Sequence, residues 1–167
     1  LLVIGLIHYE AFRTKQALIL PLVTALLAVV WAVGGLGFMH QSFDVFNAST
    51  PILILAIAAG HAVQILKRYY EEFHAIKLKN PNLSPQEVNF AAVEEALTQV
   101  APVMIVACTV AALGFFSLVI FEIKTIRTFG LFTGFGVLSA LVIELTFIPA
   151  LRALLPPPNE NERSREQ

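Results

Sequence analysis

Two ionisable side chains lie deep inside apolar runs of this chain: His61, within residues 51–66, and Glu144, within residues 129–151. A histidine exchanges protons near neutral pH, its ordinary pKa being about 6.5. An unpaired acid at the centre of a bilayer costs of order 2.5–3.5 kcal/mol on insertion scales, so Glu144 must face protein, find a partner or carry a proton. Each has two readings: a proton carrier, or a buried polar group bonded to a neighbouring helix. The two are expected within about two helical turns of each other in depth, which makes Glu144 the first candidate partner of His61 in this chain. Gln64 and Arg68 follow His61 at i+3 and i+7 and share its face. Gln64 reads as a helix–helix hydrogen bond or a substrate ligand. Thr109 reads as a packing hydroxyl or a further polar member of the same site. The single cysteine, Cys108, lies in an apolar run and supports neither a disulfide nor a metal site. His8, His40, His61 and His74 fall on different segments. No nucleophile–base, metal-ligand or phosphate-loop spacing accompanies them, so no enzyme activity, cofactor or metal is expected.

The elements that position these groups are long apolar helices. Of the 167 residues 57% are hydrophobic and 14% charged, against about a quarter charged in soluble domains. The apolar residues fall in blocks long enough to cross a bilayer. The fold class is therefore all-α, a polytopic transmembrane helical bundle. Complete spans are expected at about 17–37, 48–70, 98–121 and 127–154, within a bundle covering residues 1–155. The first apolar block, at about 1–9, is too short to span. It reads as the end of a truncated helix, and the chain as a fragment of a longer protein. Residues 73–83 read as a polar linker. Ser84-Pro85-Gln86-Glu87 then has the form of a capping box with proline at the first helical position. It predicts a helix over about 84–97 lying at the membrane surface. Residues 156–167, PPPNENERSREQ, read as a polar tail or linker.

Charge sets the expected orientation. Nine of the eleven Lys and Arg fall before the first complete span, after the second, and after the last; only Lys124 and Arg127 fall on the opposite side. The positive-inside rule then puts residues 67–97 and the C-terminal tail in the cytoplasm. Tyr69 and Tyr70 read as interfacial anchors, and Lys67, Arg68, Glu71 and Glu72 as a solvated helix end. A net charge of −1 offers nothing to nucleic acid.

Three stretches together resemble the resistance–nodulation–cell division (RND) superfamily, on the branch of lipid and MMPL-like exporters. AIAAGHAVQILKRYYEEF is similar to the family's fourth membrane helix, whose Arg-Tyr-x-Glu-Glu end is matched by Arg68, Tyr69, Glu71 and Glu72. AAVEEALTQVAPVMIVACTVAALGFFSLVIF is similar to the cytoplasmic helix and fifth span, with Pro102, Thr109, Gly114 and Phe115 in place. IRTFGLFTGFGVLSALVIELTFIPALRALLP is similar to the sixth span. The resemblance implies helices two (partial) to six of one half of an RND-type membrane domain, in a bacterial inner membrane. It implies a large periplasmic domain upstream, a second membrane half, a hydrophobic or lipid-like substrate, and room for a homo-oligomer. Many members carry aspartates as the proton relay where this chain has Gly60 and His61. The leading expectation is thus the membrane half of a proton-motive-force-driven exporter of lipid-like molecules. The alternative is a non-transporting, lipid-sensing or scaffolding half with a degenerate relay.

Overall fold

The computed structural model describes residues 15–40 and 44–158. The partial span at 1–9 and most of the polar tail lie outside the described residues. Four helices follow in order: α1 (Lys15–Phe38), α2 (Thr50–Lys79), α3 (Pro85–Phe116) and α4 (Lys124–Leu154). Short 3-10 turns, Asn47–Ser49 and Ser117–Ile120, precede α2 and follow α3. No strand occurs among the described residues, and all four helices are long and apolar enough to cross a membrane. The all-α bundle expected from hydropathy is the observed architecture.

Helix α4 lies against the other three. Its buried positions run Gly130, Thr133, Val137, Ala140, Glu144, Ile148 and Arg152, a stripe at three- and four-residue spacing along its whole length. Small residues allow the closest approaches: Ala25, Ala28 and Ala32 of α1 meet Ile54 and Ala58 of α2 and Ala140 of α4. In a membrane, where lipid is as apolar as leucine, such close packing is what holds helices together. Thr50 and Thr133, both fully buried, share a hydroxyl–hydroxyl hydrogen bond of 2.9 Å that ties α2 to α4 at one end. The span of α3 is the least enclosed, with Val103, Val106, Val110 and Leu113 on the outside.

At the opposite end the structure departs from the sequence reading. The segment read as a polar linker from residue 73 is helical as far as Lys79, so α2 has 30 residues, roughly 45 Å against a hydrocarbon core of about 30 Å. Its charges suit a solvated helix: Arg68 pairs with Glu71 at 2.9 Å and with Glu72 at 2.8 Å, at i+3 and i+4. Asn80 leaves helical geometry (φ −131°, ψ 74°), as a residue before proline tends to. Likewise the helix expected at 84–97 begins as read but does not stop. Ser84 Oγ accepts from Glu87 N–H at 3.3 Å, and Ser84 N–H donates to Glu87 Oε2 at 2.8 Å. The Ser84 hydroxyl, donating to Glu87 Oε2 at 2.7 Å, and then the Ser84 backbone N–H hold the exposed Glu87 carboxyl below its ordinary range. The helix then runs unbroken through Pro102 into the span. The reason is packing. Val88, Ala92 and Ala96 bury against Tyr69, Tyr70 and Phe73 of the α2 extension, so the apolar face meant for a membrane surface is used on protein instead.

Candidate intramembrane polar site

His61 projects from α2 and Glu144 from α4, and their side chains meet: His61 Nδ1 lies 2.9 Å from Glu144 Oε2. The glutamate side chain is fully buried and the histidine 12% exposed. The two residues are 83 apart in sequence, and only the packing of α4 across α2 joins them. Around them the helices are built of small groups: Ala58, Ala59 and Ala62 on α2, and Ala140 on α4, are all buried. That leaves the imidazole and carboxyl as the bulky polar pair in an otherwise close-packed seam.

The third side chain of the cluster is Cys108, on α3. Its Sγ sits 3.7 Å from Nε2 and 3.8 Å from Nδ1 of His61. Three helices thus contribute one titratable group each. The sequence reading found no role for Cys108. The signal available was its place in the buried series Met104, Cys108, Ala112, which marks the one face of α3 turned inward.

The geometry allows one proton to be shared along the His61–Glu144 bond. With one proton the pair is net neutral, whether written as imidazole and carboxylic acid or as imidazolium and carboxylate. With a second it carries +1. Glu144 Oε1 is buried with no hydrogen-bond partner among the described residues. An acceptor buried without a partner is costly, and a proton on this oxygen removes part of that cost. The pair can thus exist with one proton or with two.

The other two candidates stand apart from the pair. Gln64 is exposed on the outer face of α2; neither the expected helix–helix bond nor any other hydrogen bond of its side chain is made among the described residues. Three residues apart, His61 and Gln64 point about 60° from each other around the helix, and at the edge of the seam that turns one inward and leaves the other outside. Thr109 is exposed too, its hydroxyl donating to the Ile105 carbonyl at 2.7 Å. One residue beyond Cys108, it faces away from His61. Among the described residues, no group of three His, Cys, Asp or Glu is placed to hold a metal ion.

A second buried network closes the far end of the bundle. Tyr69 O–H donates to Asn89 Oδ1 at 2.6 Å and accepts from Arg152 Nη2 at 2.8 Å. Asn89 Nδ2 donates to the Arg152 carbonyl at 3.2 Å. The guanidinium lies 4.5 Å from the Tyr69 ring centre and 5.8 Å from that of Tyr70. Tyr69 and Tyr70, read as interfacial anchors, are instead buried within the protein at 1% and 6% exposure. The α3 extension covers them.

Comparison with known proteins agrees with this architecture. The MMPL family matches residues 1–167. A membrane protein of Methanocaldococcus jannaschii is 26% identical over 140 residues, covering 84% of this chain and 34% of that protein. The hopanoid transporter HpnN of Burkholderia multivorans is 28% identical over 163 residues, covering 97% of this chain and 17% of the relative. The Mycobacterium bovis protein MmpL8, named for transport, is 28% identical over 162 residues, covering 92% and 13%. The chain therefore spans about a third or less of the length of these relatives. No solved structure matches it.

Proposed function

Because the chain belongs to the MMPL family, within the RND superfamily, and is a multi-pass membrane protein, we propose that it forms one membrane half of a proton-driven exporter of lipid-like molecules, with His61 and Glu144 as its proton-bearing pair. The observation that carries this reading is the 2.9 Å contact between the two inside the apolar spans of α2 and α4. Uptake of a second proton turns a neutral pair into a net cation. A lone charge in a low-dielectric seam is unfavourable, so the doubly protonated pair favours an arrangement of α2 and α4 that admits water. Release of the proton on the other side restores the closed seam. That is the elementary step of alternating access. The family's aspartates are replaced here by a histidine whose acid comes from a different helix.

In this reading the membrane half works together with a second membrane half and a periplasmic domain. The outer face of α2 carries Ala56, Gly60 and Gln64 in line. A second half covering that face would give the Gln64 amide a partner. The α2–α3 extensions and the C-terminal tail lie in the cytoplasm of a bacterial inner membrane, following the distribution of Lys and Arg. Asn82 sits in the α2–α3 turn. An Asn82→Cys variant of the full-length protein should react with an impermeant maleimide only from the cytoplasmic side; labelling from outside would overturn the orientation.

Transport itself is tested with full-length protein in proteoliposomes. The probes are a hopanoid and a fluorescent acyl lipid, chosen from the name of one relative and the apolar character of the bundle. An imposed pH gradient should accelerate delivery of one or both to acceptor vesicles, and a protonophore should abolish the gain. Delivery that is indifferent to the gradient would sink proton coupling.

A further inference from the structure

Away from the polar seam, the end of the bundle formed by the C-terminus of α1 and the N-terminus of α4 holds two adjoining hollows. One, of about 450 Å³, is lined by Met39, Val119, Lys124, Arg127, Thr128 and Phe132 among others. The other, of about 320 Å³, is an apolar crevice between α1 and α4 that includes Trp31, Gly35, Phe38, Phe135, Gly136 and Ser139. Met39 and Phe132 line both, so the crevice continues into the cationic hollow. From Lys124 to Ser139 the groove follows α4 for roughly 22 Å, longer than the half-thickness of about 15 Å of one leaflet's hydrocarbon. Both volumes lie in the range of ligand pockets, about 300–1,000 Å³.

The charges are placed with the cavity. Lys124 and Arg127 are the only Lys or Arg at this end among the described residues. They are also the two exceptions to the charge asymmetry of the whole chain. Neither forms an ion pair among the described residues, and Glu122, two residues before Lys124, pairs with neither. Two cations at the mouth of an apolar groove complement a molecule with an anionic head and a hydrocarbon tail. We propose that the α1–α4 groove binds an anionic amphiphile from the bilayer, its headgroup held by Lys124 and Arg127 and its tail lying along Trp31, Gly35 and Phe135.

As a place for transported lipid, this site rests on the export reading above; its occupancy is measured without transport. The probe is Trp31, the single tryptophan of this chain. Full-length protein is placed in nanodiscs of phosphatidylcholine, and the Trp31 signal is taken as the difference from a Trp31→Phe variant. Chain-brominated phosphatidylglycerol should quench it at a mole fraction about tenfold lower than chain-brominated phosphatidylcholine, as befits a charge-assisted contact. The Lys124→Gln/Arg127→Gln double variant should lose this preference. So should Gly35→Leu, which fills the crevice at a position where an added Cβ meets nothing within 4 Å. Excess inorganic phosphate should leave the quenching in place. Equal quenching by both lipids, a preference that survives the double variant, or displacement by phosphate alone would each overturn the site. None of these results touches the gradient dependence of export, so the two readings fail separately.

Discussion

His61→Gln is expected to abolish gradient-driven export, lowering it by roughly two orders of magnitude, the usual cost of losing a positioned proton carrier, while the protein stays folded and inserted. Glutamine keeps a hydrogen-bonding group opposite Glu144 but cannot titrate. The packing at the seam is therefore largely retained and the proton is lost. His61→Asp should keep part of the activity. It sets two carboxyls against each other, and two acids sharing one site hold one proton between them, so a titrating pair survives. If the contact with Glu144 Oε2 at 2.9 Å serves packing alone, the order reverses: glutamine is tolerated and aspartate, a second buried acid, is the damaging change. Glu144→Gln provides the reciprocal test and should match His61→Gln in the loss of export. The measurement is delivery of the lipid probe under an imposed pH gradient, with expression and melting temperature checked for each variant. Full export by His61→Gln would end the proton-carrier reading.

The largest stability effect is expected at Gly130. A Cβ there would run into the Phe115 carbonyl oxygen and lie 2.7 Å from Leu118 Cβ. The carbonyl belongs to backbone and cannot rotate away, so α4 would have to retreat from the end of α3. Gly130→Ala should cost about 1–3 kcal/mol, the usual range for overpacking, and lower the melting temperature of the detergent-solubilised full-length protein. At Gly136 the added methyl would meet mainly the Ile54 Cδ1 methyl, the far end of a side chain that can turn, so a smaller loss is expected. At Gly114 nothing lies within 4 Å. Alanine there should be neutral or mildly stabilising, since it favours helix over glycine by up to about 1 kcal/mol. A Gly130→Ala protein that melts with Gly114→Ala would show that the α3–α4 contact is not as close as described.

Hydropathy alone specifies that the described residues form a bundle of four long apolar helices, because crossing a bilayer demands some twenty apolar residues with every backbone polar group bonded inside the helix. Local chemistry specifies where α3 begins: Ser84 and Glu87 satisfy each other's backbone donors without help from the rest of the fold. His61 and Glu144 are conspicuous for a similar reason, as ionisable groups in segments that exclude them. That they meet is a tertiary fact. A helix sequence gives depth and face, while a contact also needs the crossing of two helices, and this one depends on alanines at the seam. The same limit explains the departures. Apolar periodicity marks which side of a helix avoids water, but lipid and protein are alike in that respect. Thus the apolar face of residues 85–97 and the rings of Tyr69 and Tyr70 could be assigned to the membrane surface, although each proves to be the other's partner. Cys108 could pass for one more lipid-facing or packing residue until α3 set it against His61. Which faces meet protein is decided only when the helices pack, because that choice turns on shape and on the few polar groups that must be satisfied, not on the hydrophobicity that the sequence displays.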